Sequence, residues 1–390
     1  MRRLGRNRRP ALAAVPGTAP AVNAAAEERI AVATQWQLVW WKFRKHKLAM
    51  LGGAVVVVLY VTAIFAEFLA PFEPNQHASR YLYAPPQTIG WIVPSEDGWR
   101  IQPHVLGLTS RMDPTTFRRT YEIDPDAVIP IGLLVRTEPY RMWGFLTLDR
   151  RLIGPIDGVG PMYLLGADRL GRDVLSRVIH GTRISMSIGL VGVVLSLLLG
   201  VVLGGISGYF GGVTDNLIQR TIEFIRSIPS IPLWMGLAAA IPLTWSPLAV
   251  YFMITVILSL IGWTGLARMV RGKFLSLKAE DFVTAARLDG ASEMRVIMRH
   301  MVPSFTSHII ATVTLAIPRM ILSETALSFL GIGLRPPVVS WGVLLQEAQS
   351  VRALATAPWL LWPGVAVVVA VLALNFLGDG LRDAADPYHT

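Results

Sequence analysis

The sequence predicts an all-α membrane protein, a bundle of spanning helices with one extracytoplasmic insertion, and three observations carry that prediction. Of 390 residues, 53% are hydrophobic and only 16% charged, whereas soluble domains usually hold about 25% charged residues. Six stretches approach the roughly 20 mostly apolar residues that a helix needs to cross a bilayer core. A polar run over residues 71–165, rich in proline and aromatic residues, separates the first stretch from the other five. It is too long for an ordinary connection and reads as a small lobe of its own.

Residues 1–47 form a basic tail, with Arg2, Arg3, Arg6, Arg8, Arg9, Arg29, Lys42, Arg44, Lys45 and Lys47 set against Glu27 and Glu28. Most of the formal net charge of +10 therefore sits directly before an apolar stretch, as the positive-inside rule asks of a cytoplasmic flank. That placement, with no alternation of aromatic and basic residues, argues against a nucleic-acid partner. Residues 2–26 begin like a secretory signal, but Pro16, Gly17 and Pro20 interrupt its helix, so a disordered cytoplasmic tail is expected. The chain has no cysteine, which removes disulfides, thiolate metal sites and cysteine nucleophiles.

The clearest spans are 48–70, the first transmembrane helix, then 184–206, 248–270 and 360–381. The stretch 218–242 starts with polar residues and contains Pro229 and Pro232, and 305–330 carries Pro318, Arg319 and Glu324. Such helices persist in a bilayer where neighbours or a watery cavity satisfy the freed groups, so both are expected to face the protein interior. Six crossings from a cytoplasmic tail return the C-terminus to the cytoplasm. The loop after the fourth crossing falls on the same side, and its Arg268, Arg271, Lys273, Lys278, Arg287, Arg295 and Arg299 agree with that.

Arg169, Arg172, Arg177 and Arg183 fall on the outer side, against the rule. They are expected on an interfacial amphipathic helix with Leu170, Val174, Val178 and Ile179 along one side, Arg172 pairing with Asp173. Within the insertion, 131–135 and 145–148 alternate like short strands. Gly189, Gly192, Gly200, Gly204 and Gly205 suit close helix packing, and Trp341 and Trp359 are expected as anchors in the aromatic belt.

Enzymatic motifs are missing. There is no GxxxxGK[ST] loop, and the glycine run 208–212 has no lysine to reach phosphates. HExxH and GxSxG are also absent. The seven histidines, His300 and His308 among them, lack metal-ligand spacing. No metal site, cofactor or catalytic residue is expected in the chain.

The loop after the fourth crossing reads Asp281, Phe282, Val283, Thr284, Ala285, Ala286, Arg287, Leu288, Asp289, Gly290 and continues to Val302 and Pro303. It resembles the EAA signature of binding-protein-dependent ABC importer permeases, with Thr284 in place of the usual glutamate and His300 in place of an isoleucine. GADRLGRDVLSR at 166–177, GYFGG with Asp215, SETALSFLGIG at 323–333 leading into RPPVVSWG at 335–342, and LNFLGDGLRDAADP at 374–387 resemble, in order, the second permease subunit of the dipeptide and oligopeptide group. The resemblance covers most of 164–387.

It implies a six-helix type I importer domain in a bacterial inner membrane, with 166–387 as the core and the coupling loop at about 271–303. A heterodimer with a sister permease, two cytoplasmic ATPase subunits that bind ATP and Mg²⁺, and an extracytoplasmic solute-binding protein are implied with it. Peptides are the default substrate; oligosaccharides, opines and nickel chelates are carried by the same group. A proton-coupled secondary transporter is the competing class, and it calls for inverted repeats and paired broken helices, which the sequence does not display.

By the same resemblance, Asp281, Phe282, Thr284, Ala285, Ala286, Asp289 and Gly290 are the ATPase-coupling residues. Local chemistry adds a short helix over 277–289, acidic at its start and ended by a left-handed Gly290, with 282, 285, 286 and 289 on one face and Ser292 capping the next helix. Glu324 and Arg319, costly within a span, are the candidates for the translocation path, and a pair between the two or a bond from Glu324 to a helix end is the alternative.

Overall fold

The computed structural model describes residues 34–95, 98–112, 114–115, 119–156 and 160–385. The expected tail up to residue 33 lies outside these. The described residues open with helix α1 (Gln35–Lys45), and His46 accepts the Ala49 N–H through Nδ1 at 3.1 Å to start α2 (Lys47–Ile64). The expected first span ends early. It breaks at Phe65 and resumes as the single turn α3 (Ala66–Leu69).

The insertion is a four-stranded antiparallel sheet in the order β1 (Gly90–Ser95), β2 (Gly98–Met112), β3 (Arg119–Met142), β4 (Leu146–Pro155). Both expected short strands are parts of longer ones. β3 pairs with β2 through its first half, as far as Pro130, and with β4 through its second half from Ile131. The sheet rests on the flanking segments, with Val105, Ile129, Ile131 and Met162 in one small core and Ala84, Leu108, Tyr163 and Ala167 in another. All-α therefore describes the membrane bundle and not this lobe.

The bundle comprises α4 (Val174–Phe210), α5 (Gly212–Ser227), α6 (Ser230–Ala239), α7 (Pro247–Leu277), α8 (Asp281–Leu288), α9 (Thr306–Phe329), α10 (Trp341–Leu345), α11 (Val351–Thr356) and α12 (Trp362–Ala385). Among the described residues five helices are long and apolar enough to cross a membrane: α2, α4, α7, α9 and the run Pro358–Ala384 that contains α12. The third expected crossing is two shorter helices. Pro229 cannot donate to a continuing helix and instead stands at the N-cap of α6, and Pro232 falls in the first turn, where a missing N–H costs little. Pro318 remains inside an unbroken α9, buried as expected.

α4 and α7 form the centre. Along α4, Gly200, Gly204 and Gly208 recur every four residues, so they share one face. A Cβ on Gly204 would lie 2.4 Å from the Ala267 carbonyl oxygen, and one on Gly208 would lie 2.7 Å from Phe274 Cβ. Only glycine permits this approach. Nearer its start α4 takes α9, with Gly189 against Ile321 and Gly192 against Met320. α2 and α12 pack side by side where Gly52 meets the Ala373 carbonyl and Gly380 meets Ala49. The main core joins these helices through Met186, Ile188, Ile254, Leu258, Ile321 and Leu374.

Candidate functional site

α8 lies at the end of the bundle remote from the insertion. It is shorter than expected because α7 runs on to Leu277 and α8 starts at Asp281. Its end is a Schellman motif: Ala291 N–H donates to the Ala286 carbonyl at 3.1 Å, Gly290 N–H donates to Arg287 at 3.0 Å, and Gly290 has φ +77°. Ser292 occupies the next N-cap but makes no side-chain capping bond. The following segment is irregular, with Glu293–Arg295 helical, Val296–Met301 in wider π-type turns and Val302–Ser304 helical.

Burial divides α8 into two faces. Val283 and Ala286 are buried against Tyr209, Val270, Phe274, Val296, Ile297 and Met301. Asp281, Phe282, Thr284, Ala285, Leu288, Asp289 and Gly290 are exposed. Ala286, expected on one face with 282, 285 and 289, is instead buried in the chain's own core, because the helix needs two inward positions a turn apart to seat itself. Leu288, 84% exposed, is the apolar residue on the open face that the sequence reasoning missed.

The glycine run 208–212 supports α8 from below. Lys278 Nζ donates to the Tyr209 carbonyl at 2.8 Å, and the Arg287 guanidinium lies 5.1 Å from the Tyr209 ring centroid. Asp215, on the first turn of α5, accepts from Arg271 Nε and Nη2 at 2.6 and 2.5 Å, and Ser207 Oγ also donates to it. The Arg271 bonds hold its carboxyl below the usual carboxylate range, against burial and with help from Ser207. A carboxylate just after a glycine run, with an arginine near the end of the antiparallel helix, was the available signal for this clamp.

Glu324 is fully buried and does not pair with Arg319, which is exposed on another face of α9. Its Oε1 accepts from Ser328 Oγ and Ser340 Oγ, each at 2.8 Å. Ser328 Oγ then accepts the Leu334 N–H, and Ser340 Oγ caps α10 by accepting the Val343 N–H. The carboxylate therefore secures a helix end, the alternative of the two expectations. Trp341 is buried, its N–H donating to Ser185 Oγ at 3.1 Å and its indole to the Val178 carbonyl at 3.2 Å, so it is no belt residue. Trp359 is half-buried and donates to the Ala167 carbonyl. A cavity of about 620 Å³ lies beside α10, with Tyr83, Arg169, Gln346 and Glu347 among its walls and Glu324 not among them.

At the insertion end the four arginines do not lie on an interfacial helix. Residues 166–173 form a tight turn and α4 begins at Val174, capped by Asp173, which accepts Ser176 N–H at 2.7 Å and Oγ at 2.6 Å. Arg172 pairs with Asp168 at 2.7 Å, not with Asp173, and Arg177 approaches the same carboxylate at 3.5 Å. All three are buried. Burial pushes the Asp173 carboxyl up to about 6 despite its bonds to Ser176. Arg183 holds Glu67 through two bonds of 2.5 Å and caps the carbonyls of Ala63 and Ile64. Arg151 of β4 reaches the Ala70 carbonyl and Glu73. Arg172, Arg177, Arg183 and Arg151 are thus each paired or bonded within the chain, whereas the Arg169 side chain is exposed and its backbone N–H donates to Glu347.

Residues 200–388 match the family model for the binding-protein-dependent transport system inner membrane component, and residues 34–86 match the N-terminal transmembrane domain of oligopeptide transport permease C. The oligopeptide transport system permease protein OppC of Bacillus subtilis is 38% identical over 223 residues, 57% of this chain and 70% of that protein. The dipeptide transport system permease protein DppC of Haemophilus influenzae is 29% identical over 355 residues, 91% of this chain and 95% of the relative. The glutathione transport system permease protein GsiD of Pectobacterium atrosepticum is 36% identical over 250 residues, 64% and 79% of the two chains. An inward-facing MetNI methionine ABC transporter structure overlaps 53% of this chain and 95% of its own at 17% identity, with a TM-score of 0.41. On the sequence matches, the chain belongs to the binding-protein-dependent transport system inner membrane components, as a permease subunit of the peptide-transporter group.

Proposed function

We propose that this chain forms half of a translocation path for peptides or similar small solutes, beside a sister permease, and that α8 is the docking surface for one of two ATPase subunits. The observation that carries the reading is the two-faced seating of α8. Val283 and Ala286 fix it to the bundle, while Phe282, Ala285, Leu288 and Asp289 stand open, a pattern suited to transmitting a push from a partner into α4 and α7. ATP and Mg²⁺ would be bound by the ATPases, and no covalent step falls to this chain. The α8 end and both termini would then face the cytoplasm of an inner-membrane protein, and the sheet would face an extracytoplasmic solute-binding protein. Peptide is the preferred substrate because the relatives named above are peptide permeases.

A tagged full-length chain, purified from its native membrane, should bring down a sister permease and ATPase subunits. Ala285→Arg should leave the permease inserted but remove the ATPases and substrate-stimulated ATP hydrolysis. Unchanged recovery and stimulation in that variant would place coupling elsewhere.

A further inference from the structure

The β3–β4 hairpin closes through Trp143, Gly144 and Phe145, between the paired residues Met142 and Leu146. Trp143 adopts φ +52°, a backbone region uncommon for a residue with a large side chain. What it gains is a fixed position: its indole Nε1 donates to the carbonyl oxygen of Ile64, the last residue of α2, at 2.8 Å. The hairpin runs down towards that point. Arg151, farther from the tip, reaches the Ala70 carbonyl, whereas the tip itself reaches Ile64.

This contact sets the depth of the tip. α2 has 18 residues and is about 27 Å long, close to the roughly 30 Å of a bilayer core, so Ile64 lies at the hydrocarbon boundary. The tip is apolar and open there, with Phe145 76%, Trp143 44% and Leu146 41% exposed. Phe65, itself exposed, lies 6.3 Å from the Trp143 ring. These rings continue the exposed face of α2 formed by Val57, Val58, Val61 and Ile64, a surface that in a membrane-spanning helix meets lipid. Arg141 and Arg150, exposed and just behind the tip, stand where phosphate headgroups would be.

We propose that the β3–β4 tip is a membrane anchor: Trp143, Phe145 and Leu146 enter the bilayer interface beside the first crossing and hold the sheet against the membrane surface. Amphipathic aromatic rings favour that layer. The chain has no cysteine, so a single introduced one reports from a known position. Phe145→Cys, Leu146→Cys and, as a control on the far part of the sheet, Ile101→Cys would each be spin-labelled in the full-length chain. Each would be reconstituted with its co-purifying subunits in phosphatidylethanolamine and phosphatidylglycerol liposomes. At 145 and 146 the label should collide with oxygen several-fold more, relative to a water-soluble nickel complex, than at 101. Equal nickel access at all three sites would overturn the proposal. So would protection from both reagents at 145 and 146, since that would mean a protein subunit covers the tip. Two labelled positions keep the test decisive if one variant does not fold.

Discussion

At the insertion end of the bundle, charged side chains are buried and bonded within the chain; at the α8 end, apolar side chains are exposed. Asp168, Arg172, Arg177 and Arg151 are almost wholly buried, and Glu67 is nearly so. Leu288, Met294 and Met298 are more than half exposed. Buried ion pairs are costly to break, because the surviving partner keeps its desolvation penalty. Open apolar surface costs little to change within one chain but decides what a partner can grip. Substitutions of the buried charges should therefore fail in folding assays, and substitutions of the open apolar residues near α8 in assembly assays.

The largest loss of stability is expected from Arg183→Met, which strands Glu67 and frees the carbonyls of Ala63 and Ile64. About 3 kcal/mol should be lost, read as a lowered midpoint of thermal unfolding in detergent, and a wild-type midpoint would show that the pair is solvated. Gly204→Val follows. Its side chain would meet backbone of α7 rather than a movable side chain, so about 2 kcal/mol of overpacking strain is expected, visible in the same midpoint and in a broadened elution profile.

A smaller, pH-dependent effect is expected at Asp173. Its folded carboxyl ionises near 6 instead of the ordinary 3.8, so the folded chain holds a proton that the unfolded chain has released. The resulting stabilisation is fully present below about pH 4 and is lost as pH rises through 6. Compared with Asp173→Asn, the wild type should therefore lose on the order of 2 kcal/mol between pH 4 and 7. Parallel pH curves for the two proteins would contradict the assignment. Leu288→Arg should have the smallest effect on stability, under about 0.5 kcal/mol. ATPase recovery should nevertheless fall about tenfold or more, as for loss of an interface hot spot. A destabilised but still assembled variant would erase the contrast between the ends.

The spans were legible where an apolar run alone decides the outcome, as in α2, α4, α7 and α12. Gly290 was legible because a left-handed helix end leaves few residues to choose from. The burial of Ala286 was not legible because sequence spacing says which residues share a face but not which neighbour that face meets. Trp341 was misread, and the partners of Glu324 were left open, for a related reason: Ser185, Val178 and Ser340 are distant in sequence or hidden in an irregular loop. The sheet was only partly legible. Pro125, Pro130 and Pro139 interrupt β3, and register shifts near Gly107 and between Arg136 and Tyr140 disturb the alternation that would have marked long strands.

The clamp between α5 and α7 also imposes an order on synthesis. α5 carries Asp215, Arg220, Glu223 and Arg226 and buries Ile222 alone, against Trp263 and Ala267 of α7. Its clamp to Arg271 spans 56 residues of chain. At ribosomal rates of about 5–20 residues per second, Asp215 emerges roughly 3–11 s before the arginine that holds it. During that interval the charged, amphipathic α5 lacks its seat, so completion of α7 is the event that fixes its place in the bundle.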